Sequence, residues 1–74
     1  MKELAEAAKK VAELSKKVES CKRDLKTKKE YLDSAIRDGR DASSQRLNVK
    51  WATERLESAV RDLERAQSDY NRLK

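Results

Sequence analysis

The residues of this 74-residue chain that could do chemistry are fourteen Asp and Glu, nineteen Lys and Arg, one cysteine, two tyrosines and one tryptophan. Paired carboxylates can act as general acid and base. Here, however, each has a Lys or Arg close by in sequence, the pattern of a solvated helix surface. There is no histidine, which removes the commonest general base and a main zinc ligand. The single glycine, Gly39, rules out a phosphate-cradling glycine loop. No catalytic, cofactor or metal site is expected, and the chain is read as no enzyme. What remains is recognition chemistry. Tyr31, Ile36, Leu47 and Trp51 stand beside Arg37, Arg40, Arg46 and Lys50, the side-chain mixture found at interface hot spots.

These residues must be positioned by helices. Charged residues make up 45% of the chain and hydrophobic ones 36%, with no proline and no phenylalanine. Sheet hairpins need turn residues that this sequence lacks. No apolar run approaches the roughly 18 residues of a membrane span, no secretory signal is present, and one cysteine cannot staple the fold internally.

Two heptad tracts run through the sequence. With Leu4 at position a, a holds Leu4, Val11, Val18, Leu25 and Leu32, while d holds Ala7, Leu14, Cys21, Lys28 and Ala35. The second tract has a at Val49, Leu56, Leu63 and Tyr70, and d at Ala52, Ala59, Ala66 and Leu73. The tracts differ in register, and Gly39, Asp41, Ser43 and Ser44 lie between them. Gly39 suits the residue past a helix end, and Ser43 or Ser44 suits a cap. The expected fold is all-α, an antiparallel two-helix coiled-coil hairpin, with helices at about 3–37 and 44–73 and a turn near 38–43. The competing architecture is one continuous helix in a parallel dimer.

Pairing a with d across such a hairpin centres it on residue 42. Large residues then face small ones, Leu32 with Ala52, Leu25 with Ala59 and Val18 with Ala66, and Leu14 meets Tyr70. At the edges, Lys17 is expected near Asp69 and Asp24 near Asp62. Residues 2–10 would have no partner, so the whole chain, 1–74, reads as a single hairpin cut from a longer coiled coil. Cys21, at d, is expected to pack as a small hydrophobe.

Lys16, Lys17, Lys22, Arg23, Lys26, Lys28 and Lys29 form a basic run within a net charge of +5. It reads as a solvated surface, with contact to phosphate, lipopolysaccharide or an acidic partner as the functional alternative. Nucleic-acid binding is not expected, since the run contains no aromatic. Nor is an acidic, magnesium-holding tip expected, because Asp38 and Asp41 alternate with Arg37 and Arg40. Tyr31, Ile36, Leu47 and Trp51 lie off the seam near the turn. They either close a small core there or, the reading adopted, form a contact surface with the neighbouring cations.

The chain resembles the central receptor-binding coiled coil of colicins, above all the pore-forming members. The resemblance runs from about Lys2 to Leu47 and rests on Lys9-Lys10-Val11, Val18, Leu25-Lys26-Thr27, Leu32, Ser34 and Ile36, then Arg40-Asp41-Ala42 at the turn. Cys21 and Trp51 depart from the pattern. The resemblance implies a secreted bacteriocin whose hairpin tip recognises an outer-membrane receptor protein, with no membrane insertion by this segment. The alternative is a cytoplasmic coiled-coil scaffold that binds a partner helix or a small GTPase through its long face.

Overall fold

The structure, a computed structural model, describes residues 2–74. Two helices, α1 (Lys2–Arg37) and α2 (Ser43–Leu73), fold back on each other as an antiparallel hairpin. The molecule is a rod of 57 × 13 × 12 Å. At 1.5 Å per residue a single 74-residue helix would be about 110 Å long, so the length alone excludes the continuous form.

The turn is built by backbone chemistry. Gly39 has φ of 71°, a left-handed conformation that a side chain disfavours. That reversal lets the Gly39 amide donate to the Ile36 carbonyl (3.1 Å) and the Arg40 amide donate to the Ala35 carbonyl (2.9 Å). Together these bonds form a Schellman motif that satisfies the last carbonyls of α1. At the start of α2 the expected serine cap is replaced. Ala42 occupies the cap position, where no side chain can accept a hydrogen bond. Asp41, one residue earlier, takes over instead. Its Oδ1 accepts from the Ser43 amide at 3.1 Å and from Ser43 Oγ at 2.7 Å.

The Ser43 hydroxyl bond, then the Ser43 amide bond and the charge of Arg46 hold the Asp41 carboxyl below the ordinary aspartate value. A carboxyl depressed in the folded state stabilises the fold above its unfolded value of about 4, and that contribution is lost as pH falls through the lower folded value. Asp41→Ala is therefore expected to lower the melting temperature at neutral pH. Below about pH 4 the gap to the parent chain should narrow. Melting curves from acidic to neutral pH check this, and a gap constant with pH would contradict it.

The seam follows the heptads. Val18, Cys21, Ala35, Ala42, Ala52, Ala59 and Ala66 are buried, and the larger seam residues from Leu4 to Tyr70 are half-buried. Leu73, at the end of α2, is exposed. Gln45 continues the d row toward the turn, where its side-chain oxygen is buried without a partner among the described residues.

The pairing differs from the sequence expectation. Ala59 clusters with Val18 and Cys21, Leu63 packs against the same cluster as its heptad position predicts, and Leu56 shares a groove with Leu25. Leu14 and Ala66 border another groove together. These neighbours centre the hairpin near residue 40, midway between the helix ends, rather than 42. Residues at a thus neighbour a, as Leu25 does Leu56, and residues at d neighbour d, as Cys21 does Ala59 and Leu14 does Ala66, instead of a facing d alone. The cause is the run of alanines at d on α2, Ala52, Ala59 and Ala66, with Cys21 and Ala35 at d on α1, which lets the backbones approach on that side and leaves the bulk of the a residues on the other. The charge pairs shift accordingly. Asp24 meets Arg55 across the seam at 3.8 Å and Lys28 along α1 at 3.8 Å, rather than lying near Asp62. The half-buried Lys28 thereby keeps a counter-charge inside the d row.

Candidate functional site

The eight residues expected to bind a partner are exposed near the turn end of the rod. Tyr31 is 61% exposed, Ile36 53%, Leu47 48% and Trp51 53%. They do not close a core at the tip. Apart from Leu73 at the opposite end, they are the only exposed large hydrophobics among the described residues.

Heptad position decides which of them share a face. In an antiparallel pair the two g positions border one flank and the two e positions the other. Asp24 and Arg55, both at g, fix the first flank by their 3.8 Å contact. One heptad toward the turn, Tyr31 and Asn48 take the equivalent places. Trp51, at c, stands one helical turn from both Asn48 and Arg55 on that side. Leu47 is one turn nearer the tip on the outer surface of α2. Tyr31, Trp51 and Leu47 therefore lie along one surface that runs from the g flank onto the back of α2, with Asn48 beside Tyr31.

The remaining five are divided. Ile36 and Arg46 occupy e positions and Lys50 a b position, on the opposite flank. Arg37 ends α1. Arg40 lies in the turn, where it pairs with Asp38 at 3.3 Å. Arg37, Arg46 and Lys50 make no ion pair among the described residues, so their charge is available to a partner. The single tip patch expected from the sequence is thus two surfaces, an aromatic one and a cationic one, joined by Arg37 and Arg40 across the turn. The signal for the split was the heptad position of each residue.

The basic run winds around α1 instead of forming one patch. Lys16 and Arg23 are at f, Lys17 at g, Lys22 and Lys29 at e, Lys26 at b and Lys28 in the seam. Lys22 is also engaged by Glu19 at 3.6 Å. Cys21 is free and buried in the small-residue row, as a packing residue. No helix among the described residues is long and apolar enough to cross a membrane. No protein-family model, curated protein or solved structure matches the chain.

Proposed function

We propose that this chain is a non-enzymatic recognition hairpin, the receptor-binding module of a secreted, colicin-like bacteriocin, and that its turn end contacts an outer-membrane receptor protein. The observation that carries the reading is the placement of the exposed Tyr31, Leu47 and Trp51 together at one end of a 57 Å rod. Exposing them costs solubility and adds nothing to the seam, whereas a partner that buries them accounts for the cost. Arg37, Arg40, Arg46 and Lys50 around the end suit acidic receptor loops. The resemblance of residues 2–47 to the colicin coiled coil supplies the receptor class.

The test is binding of the labelled chain to outer-membrane vesicles from a panel of Gram-negative bacteria, before and after surface proteins are removed by protease. Saturable binding to some vesicles, lost after proteolysis, is the expected result. Binding that survives proteolysis and collapses with salt would assign the contact to lipopolysaccharide and the lysine run instead. No saturable binding, with a concentration-dependent dimer in sedimentation, would favour the scaffold alternative.

A further inference from the structure

The apolar seam leaves one freedom. Both heptad tracts repeat every seven residues, so sliding one helix past the other by a heptad sets apolar positions against apolar positions again. The alanine row of α2 has the same period, at Ala52, Ala59 and Ala66, and each slide keeps it in the seam. Close approach of the backbones narrows the registers to this set. The observed register and the one expected from the sequence are two of its members, one heptad apart. Asp24 meets Arg55 rather than Asp62, and Val18 clusters with Ala59 rather than Ala66.

Charge on the g flank separates these registers. Stepping by heptads away from the turn, from the 3.8 Å contact of Asp24 and Arg55, sets Lys17 level with Asp62 and then Lys10 level with Asp69. Lys10, Asp62 and Asp69 border one open groove of about 280 Å³ on this side. Opposite charges thus face each other at successive steps. A slide to the register expected from the sequence sets Lys17 with Asp69 but Asp24 against Asp62. A slide the other way sets Lys17 against Arg55 and Glu3 against Asp69. Of the three, the observed register alone brings no like charges together on this flank. The e positions of both helices hold no Asp or Glu, so the other flank forms no attractive e–e pair in any register.

We propose that the g flank is a register lock: Asp24 with Arg55, Lys17 with Asp62 and Lys10 with Asp69 select one alignment among the heptad slides that the seam admits. Edge charges choose alignments in coiled coils chiefly by penalising the wrong one. Lys28, inside the d row and 3.8 Å from Asp24, anchors the same carboxylate to α1. The Gly39 turn fits the same alignment and acts with the lock. The consequence is positional. The lock holds Tyr31 at the level of Asn48 and beside Trp51, whereas the slide to the sequence-expected register carries it about 10 Å along α2, to the level of Arg55. Asp24 and Arg55 are therefore positioning residues for that surface. The lock itself is a property of the fold and stands or falls apart from the receptor reading.

The experiment reads the register directly, as methyl contacts in the full, isotope-labelled chain at low ionic strength, where surface charge acts most strongly. Val18 touching Ala59 reports the observed register, and Val18 touching Ala66 reports the slide. A seven-residue Gly/Ser insertion between Arg40 and Asp41, present in every variant, frees the helices from the length of the turn. Arg55→Asp with Asp62→Lys opposes like charges at Asp24 and Lys17 in the observed register, and gives Asp24 a cation in the slide. This double variant is expected to move the ratio of the two contacts toward Ala66 by about tenfold or more, the size of three reversed surface pairs. Adding Lys17→Asp and Asp24→Lys restores opposite charges in the observed register only, so the contact with Ala59 should return. None of the four residues lies in the a or d rows, so the apolar seam is the same throughout. A double variant that keeps Val18 on Ala59, whether or not it melts lower, would overturn the lock. So would a fourfold variant that fails to return.

Discussion

Trp51→Ala combined with Leu47→Ser is expected to weaken receptor binding about tenfold or more, since truncating one central interface Trp alone often costs about 2 kcal/mol. Circular dichroism and melting should stay close to those of the parent chain. Both residues point away from the seam, at c and f, and half or nearly half of each is already in water. Removing them takes nothing from the Val18–Cys21–Ala59 cluster. Tyr31→Ala should add to the loss, because the g flank sets Tyr31 level with Trp51. Ile36→Ser, on the other flank, should leave receptor binding within about twofold, as for a surface change off the contact. Titration of the vesicles with the three variants checks this. A double variant that melts much lower would move Leu47 and Trp51 into a tip core. One that stays folded and binds normally would place recognition elsewhere on the rod.

Ala59→Leu is expected to have the largest effect on folding. Ala59 is fully buried, in contact with Val18 and Cys21 on the side where the helices come closest. A leucine there must force the backbones apart, at a cost of about 1–3 kcal/mol or more. The described residues include no large side chain that is fully buried, and a chain of this size has only a few kcal/mol of stability to lose. Most of the population should unfold at ambient temperature, with helicity lost by circular dichroism. The same substitution at Ala12, which is exposed on α1, should leave melting nearly unchanged. Equal tolerance of both would mean that the small residues do not set the helix separation.

The elements were legible because their signals are local. A strict three–four step of apolar residues marks both helices, and one glycine marks the end of the first. The helices extend only one residue beyond the expected bounds, at Lys2 and at Ser43. Register was not legible from the same signals. Pairing a with d is possible about many centres, and the choice depends on how closely the backbones approach. That distance is set jointly by Ala52, Ala59 and Ala66 on one helix and Cys21 and Ala35 on the other. The cap was missed for a related reason: Ser43 has the right side chain, but the turn that Gly39 imposes starts α2 at Ser43 itself, leaving Asp41 to bond it. At the candidate site, residue type identified the exposed hydrophobics. Their division between two flanks required the register, and so did the recognition that the larger a residues stay partly uncovered.

The most direct test is a distance. With Cys21 replaced by Ala, which suits a row otherwise rich in alanine, spin labels at Lys10 and Arg72 can be read by pulsed electron resonance. The hairpin centred near residue 40 places these sites at nearly the same level of the rod, so a short distance is expected, unchanged on dilution. A continuous helix would separate them by about 93 Å, from 62 residues at 1.5 Å each. It would also separate Tyr31 from Trp51 by about 30 Å on the same scale, and the proposed recognition patch would not exist. A long distance between the labels would therefore contradict both the fold and the function proposed from it.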